Sequence, residues 1–235
     1  MTTNAGEEAL AVDVLHSNAE LLVLNKPAGL SVLKDRSGAP CLWDRLPTIV
    51  DGKPYLVHRL DKPTSGVLIV ARSAPAQARL TKAFQARRVR KFYLAWVVGD
   101  PGASGEIDLP LKKGRKNRFR VAGLREDISK TGNRWQLRPG SAFEDGHDSR
   151  TRFRRLAGRE SRSLLLLMPA TGRTHQLRVH LAWIGHPIVG DLLYGSPDSD
   201  FQAGDRLQLH AHRLVVPGQG SWSAPIGDFS PLGPG

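Results

Sequence analysis

An aspartate sits between cations in the stretch 56-LVHRLDKPTSGVLIVA-71, as His58-Arg59-Leu60-Asp61-Lys62. A carboxylate beside cations is held ionised. In that state it serves as a nucleophile or base, or as half of an ion pair that fastens a strand end. The turn-rich Lys62-Pro63-Thr64-Ser65-Gly66 is followed by Val67-Leu68-Ile69-Val70-Ala71, an apolar run that reads as a buried strand. Asp61 therefore stands at the mouth of the core, and local residues leave catalyst and ion pair equally open.

A second stretch with chemical potential is Pro169-Ala170-Thr171-Gly172-Arg173-Thr174-His175-Gln176-Leu177-Arg178. Leu164 to Met168 before it reads as another buried strand. Residues 174–184, THQLRVHLAWI, read as a helix capped by Thr174, with Leu177, Leu181 and Ile184 as its apolar face and Gly185 as its stop. A strand-to-helix turn of this kind aims backbone N–H groups at an anion, and Arg173 on it can meet a carboxylate or a phosphate. Capping accounts for Thr174 but not for Arg173 in the company of His175, Gln176 and Arg178. Tyr93 is the third candidate. It alternates with Phe92 and Leu94 and so faces the opposite side of its strand, where a lone tyrosine is commonly core packing.

Several chemistries are excluded. No GxGxxG or GxxxxGK[ST] loop occurs, and Ser65 is not in a G-x-S-x-G elbow. The single cysteine, Cys41, rules out a disulfide framework and a cysteine-based zinc site. His175 and His180 do not share a helix face well, and nothing completes a ligand set around His210 and His212. Neither a cofactor nor a metal is expected. With 40% apolar and 24% charged residues the chain is an ordinary soluble globular protein. It has no run near the roughly 18 apolar residues of a membrane span and no apolar leader at its start, so a cytoplasmic protein is expected. We read it as a monomer. The formal net charge of +12 favours a polyanionic partner, above all nucleic acid.

The elements that must position these residues follow from periodicity. Residues 12–24 read as a hairpin around Ser17-Asn18-Ala19, and Asn25-Lys26-Pro27-Ala28-Gly29 as a turn. Residues 73–90 read as a helix capped by Ser73, with Pro75 in its first turn and Ala76, Leu80 and Phe84 as its buried stripe. Arg87, Arg88, Arg90 and Lys91 crowd its C-terminus, which suits the helix dipole. Residues 92–98 form the next strand. Lys112, Lys113, Arg115, Lys116 and Arg118 form a basic segment, and residues 125–149 read as a long mobile loop. A late strand covers residues 206–216. Many strands and only two helices predict an α+β fold with a mostly antiparallel mixed sheet and flanking helices around a basic cleft. A single domain over residues 11–230 is expected, between a disordered segment 1–10 and a tail 231–235.

With these blocks in place, the sequence resembles the RluA-type RNA pseudouridine synthases. The likeness is carried by Asn25-Lys26-Pro27-Ala28-Gly29, by His58-Arg59-Leu60-Asp61 with Thr64-Ser65-Gly66, by Lys91-Phe92-Tyr93-Leu94-Ala95, and by Gly172-Arg173-Thr174-His175-Gln176-Leu177-Arg178-Val179-His180. Ile188-Val189-Gly190-Asp191 with Tyr194-Gly195, and Leu209-His210-Ala211, extend it over roughly residues 12–230. Measured against the family, no S4-type RNA-binding domain is expected before these blocks, the segment at about 124–147 is longer, and Ser17-Asn18 stands where an acidic pair is usual.

The resemblance implies that Asp61 is the catalytic aspartate, that Tyr93 stacks on the target base and is a candidate proton acceptor, and that Arg173 pairs with the aspartate. It implies that Arg59 helps fill the space left by a flipped nucleotide and that Leu177 lines the pocket. His58, His175, Gln176 and Arg178 are expected at the substrate with them, and Lys112, Lys113, Arg115, Lys116 and Arg118 on RNA phosphates, about half of them as bystanders. The implied reaction breaks the N1–C1′ bond of a uridine, turns the base and rejoins it through C5. It involves no net redox change and requires no cofactor. Asp61 would attack C1′ or remove the C2′ proton; the sequence leaves both open. A non-catalytic RNA-assembly factor on the same fold, and a hydrolase of N-glycosidic bonds, are the competing readings.

Overall fold

The structure, a computed structural model, describes residues 12–35, 38–116, 118–159, 161–195 and 206–229. The segments 1–10 and 231–235 lie outside the described residues. The chain divides into two compact units. One takes the residues up to Val89 together with those from His210 onward, and the other is Arg90–Leu209.

The first unit is built on β4 (Ser65–Ala71), buried along its whole length. The expected hairpin is present as β1 (Asp13–Ser17) and β2 (Leu21–Lys26). The Asn18 side chain accepts from the N–H groups of Glu20 and Leu21, both at 2.9 Å, which fixes the turn. β2 pairs antiparallel with β4. On the other edge of β4 lie β3 (Tyr55–Leu56), antiparallel, and β13 (Leu209–Val216), parallel through His210 and Ala211. β14 (Gly220–Ser223) pairs with β13. Gly66 has φ +111°, and a Cβ there would lie 2.2 Å from the Ala211 carbonyl oxygen, so only glycine admits β13 so close.

Three α-helices occur among the described residues, one more than the sequence predicts. The addition is α1 (Leu42–Ile49), which buries Leu42 and Leu46. It is short and carries Pro47, which hides it from a periodicity search. The Asp44 carboxylate accepts from the Cys41 N–H at 3.3 Å and closes its first turn. α2 (Ala74–Gln85) has the expected Ser73 cap, with the hydroxyl accepting from Ala76 N–H at 3.3 Å. Its buried stripe is Ala76, Leu80 and Ala83, with Phe84 half-buried. The helix stops at Gln85, and Arg87 adopts φ +55°, so the basic cluster falls in a turn and at the start of the next strand. Arg87 and Arg88 still sit at the negative end of the helix dipole, closing onto the Phe84 and Ala83 carbonyls, whereas Arg90 and Lys91 belong to the strand.

The second unit has the strand order β5-β12-β11-β6-β10-β9. Its strands are β5 (Arg90–Val98), β6 (Ser104–Asp108), β9 (Ile128–Thr131), β10 (Arg134–Leu137), β11 (Arg150–Arg159) and β12 (Arg162–Pro169). All its pairs are antiparallel except β6 with β10. β7 (Leu111–Lys113) and β8 (Phe119–Val121) form a separate hairpin. The core gathers Ala95, Val97, Ile107, Phe153, Leu165 and Leu167 under α3 (Gln176–Trp183), which contributes Leu177, Val179 and Leu181. The expected loop 125–149 contains β9 and β10, joined at Gly132-Asn133 with Gly132 at φ +60°. Trp135 holds that hairpin on the sheet, buried and 5.6 Å from the Phe153 ring. No helix among the described residues is long and apolar enough to cross a membrane.

Candidate active site

In the first unit the candidate residues lie on the chain entering β4. Leu60 is buried and anchors this segment, Asp61 is half-buried and Arg59 is exposed. The backbone around Asp61 is held from below by Lys26, whose side chain is fully buried. Its ammonium donates to the carbonyls of Pro27 and Leu30 at 2.8 Å and of Lys62 at 3.2 Å. The Lys62 carbonyl also accepts from Gly29 N–H at 2.9 Å, and Thr64 N–H closes a turn onto the Asp61 carbonyl at 3.0 Å. A buried ammonium is tolerated because carbonyl oxygens replace its water. The Asn-Lys-Pro-Ala-Gly block is thus a brace for the aspartate loop. Ser65 Oγ, at the end of that loop, meets His210 Nδ1 at 2.8 Å.

The flanking residues do not all act as their positions suggest. Lys62 pairs with Asp35 at 3.0 Å. His58 Nε2 accepts the Ile69 N–H at 3.0 Å, so its proton sits on Nδ1, and its ring stacks on Phe84 at 4.7 Å. The structure therefore gives His58 a bracing role within its own unit.

In the second unit Tyr93 lies on β5 opposite Leu167, and packs half-buried against the core that contains Leu177. Lys91, two residues earlier, donates to the Thr171 carbonyl at 2.7 Å, and burial pushes its pKa down to about 8. That bond ties β5 to the Gly172–Arg173 turn. Arg173 is exposed, with Nε donating to the Asp148 carbonyl at 3.2 Å.

The turn itself is fixed by Gln176. Its carboxamide oxygen accepts from the Thr171 hydroxyl at 2.6 Å and from Arg173 N–H at 3.0 Å. Its amide donates to the Arg150 carbonyl and the Thr151 hydroxyl, both at 3.0 Å. Thr151 in turn reaches His180 Nδ1 at 2.9 Å, while His180 Nε2 lies 2.9 Å from the Leu109 carbonyl. A carbonyl only accepts, so Nε2 carries the proton and Nδ1 takes the threonine's. Burial holds this neutral histidine at a pKa of about 4.

One expectation at this turn is corrected. Thr174 does not cap the helix: His175 is the cap residue, at φ +55°, without a side-chain cap bond. Gln176 is buried in the network just described. Arg178 is buried too, its guanidinium bidentate on Asp191 at 2.8 and 2.6 Å. Asp191 Oδ1 also accepts from the N–H groups of Leu193 and Tyr194. Tyr194 joins these parts, with its hydroxyl 2.8 Å from His175 Nδ1 and accepting from Phe119 N–H at 2.9 Å. Sequence reading gave Asp191 and Tyr194 no role, since their partners lie 13 to 75 residues away.

The basic segment forms the β7–β8 hairpin. Lys112 is half-buried, on Asp145 at 2.6 Å and over the Phe143 ring. Lys113, Arg115, Lys116 and Arg118 are exposed, with no ion-pair partner among the described residues.

Residues 20–183 match the family described as RNA pseudouridylate synthase. An uncharacterized RNA pseudouridine synthase of Zymomonas mobilis is 40% identical over 88% of this chain and 88% of its own. The dual-specificity RNA pseudouridine synthase RluA of Vibrio cholerae is 37% identical over 86% of this chain and 76% of its own. Among solved structures, human RNA pseudouridylate synthase domain containing 4 aligns with a TM-score of 0.74 at 26% identity, covering 90% of this chain and 87% of that one.

Proposed function

The chain belongs to the RNA pseudouridylate synthase family as an RluA-type enzyme, and we propose that it isomerises uridines of structured ribosomal or transfer RNA to pseudouridine with Asp61 acting at the ribose. The observation that carries this reading is the Asp61 loop. A half-buried carboxylate stands on a backbone braced by the buried Lys26 ammonium, the Gly29 N–H and the Thr64 turn. Such fixation is what a reacting group needs, because a catalytic carboxylate must be aimed before its substrate arrives.

In the reaction we propose, the target uridine leaves its stack to reach Asp61. The N1–C1′ bond breaks, with Asp61 attacking C1′ or taking the C2′ proton. Tyr93 and Leu177 hold the freed uracil while it turns, by stacking and by apolar contact. C5 then bonds to C1′ as Asp61 leaves C1′ or returns the C2′ proton; C5 loses its proton to Tyr93 or water, and N1 takes one up. Arg173 supplies the cation that pairs with the aspartate and aims it, and Arg59 fills the space the base vacates. Atoms and electrons balance within the nucleotide, so no cofactor or metal is called for. Lys113, Arg115, Lys116 and Arg118 meet phosphates. His175, close to this hairpin through Phe119 at 5.8 Å between rings, helps orient it. The enzyme works as a cytoplasmic monomer.

The test is tritium release from C5-labelled uridine in ribosomal and transfer RNA. Wild type is expected to release it, and Asp61→Asn to lower the rate by more than about a thousandfold with RNA affinity nearly unchanged. No release by wild type from either RNA would sink the reading. A primary isotope effect from C2′-deuterated uridine separates proton removal from attack at C1′.

A further inference from the structure

We propose that the outer face of β11 is a second RNA-contact surface, which holds the phosphate backbone of the substrate RNA away from the target uridine. It rests on the synthase reading for the identity of the RNA. The strand reads Arg150-Thr151-Arg152-Phe153-Arg154. Phe153 pairs with Leu167, which pairs with Tyr93. Phe153 and Leu167 are core residues with Tyr93 packed against them, so this row marks the inner face of the sheet. Alternate residues point oppositely. Arg150, Arg152 and Arg154 therefore project from the other face, away from Tyr93, and all three are exposed.

Arg134 of β10 joins them on this face, across Glu106 and Asp108 of β6. Arg134 and Arg150 reach both carboxylates, and Arg152 lies 2.7 Å from Glu106. Three guanidinium groups thus share two acids. Arg154 stands opposite Ser104 and has no ion-pair or hydrogen-bond partner among the described residues. An open cavity of about 450 Å³ lies here, bounded by Arg134, Arg152, Arg154, Glu106, Ser104 and Met168.

The chemistry fits a nucleic-acid strand. Alternate residues on a strand repeat every ~6.8 Å, a spacing at which successive guanidinium groups can meet successive phosphates. On the other side of the column lie half-buried Met168 and Leu166, opposite Arg152 and Arg154. That apolar margin suits ribose and base faces. Guanidinium groups bind phosphate through paired N–H donors, and the surplus positive charge remains after Glu106 and Asp108 are counted. A nucleotide at Tyr93 cannot also lie on this face. The contact belongs to a distant part of the same RNA, and it governs affinity, not chemistry.

The test compares wild type with Arg152→Gln/Arg154→Gln, using intact C5-tritiated ribosomal RNA. For the double variant, the RNA concentration giving half-maximal rate is expected to rise several-fold. The slope of log affinity against log salt should flatten by about two units, with the saturated rate unchanged. Arg152→Lys/Arg154→Lys should restore the slope, and thermal melting should stay the same in all three. Wild-type affinity and slope in the glutamine variant would overturn the proposal, as would a face that binds protein and leaves RNA affinity untouched. If wild type releases no tritium, the synthase reading fails, whereas the binding comparison still decides this surface.

Discussion

The Asp61 loop and the Arg173 turn are two candidate catalytic segments held by opposite means. The first is fixed by a charge, since one buried ammonium gathers three backbone carbonyls beneath it. The second is fixed by neutral side chains, a relay through Thr171, Gln176, Thr151 and His180, with a buried ion pair, Arg178 with Asp191, one turn along. The contrast teaches that the lysine brace acts through three backbone carbonyls, whereas a relay ending in a histidine is secure only while that histidine is neutral.

The largest effect is expected where a buried ion is orphaned. Arg178→Met leaves Asp191 buried with only backbone donors, and should cost about 4 kcal/mol in urea unfolding. Wild-type stability in that variant would show the pair to be replaceable. Lys26→Met strands the carbonyls of Pro27, Leu30 and Lys62 and should cost about 3 kcal/mol. Its catalytic rate should fall further than that of an equally destabilised variant in the second unit, which a melting-matched comparison measures.

Acid should separate the two segments. The folded pKa of His180, about 4, lies below its ordinary 6.5. The unfolded chain therefore takes a proton that the native one refuses. This contribution is full above pH 6.5 and is lost as pH falls toward 4, by about 2 kcal/mol between about pH 6.5 and about pH 5. Hydrogen exchange should show the Arg173 turn opening before the Asp61 loop, and His180→Gln should flatten the pH slope. The smallest effect belongs to His58→Ala, which frees the Ile69 N–H and should cost about 1 kcal/mol. RNA affinity should stay constant in that variant; a loss would return His58 to the substrate.

Much of this was legible in the sequence where local pattern decides the outcome. The apolar run after Asp61, the Asn18 turn and the Ser73 cap need only neighbours within a few residues. The β9–β10 hairpin was missed, its segment being read as a loop, although Gly132-Asn133 between short runs is a two-residue turn signal; one tryptophan carries its burial. Polar residues of the second block were harder. Gln176 and Arg178 look like ligand contacts because sequence does not record burial, and their partners Arg150, Thr151 and Asp191 come from other elements. The contact of His58 was hidden in the same way, since its acceptor role depends on the register that leaves Ile69 N–H facing it.

The parallel seam between β4 and β13 also bears on how the chain is made. Ser65 and His210 are 145 residues apart, yet they share a buried hydrogen bond. The second unit, by contrast, is one uninterrupted stretch. On the ribosome that stretch can complete its own pairings while β4 still lacks its neighbour. The bed of the Asp61 loop is therefore finished late, when the strand carrying Ala211 slides into the gap Gly66 keeps open. A nascent chain stalled before His210 would hold a formed second unit and an unsealed β4 edge, the state most exposed to mispairing.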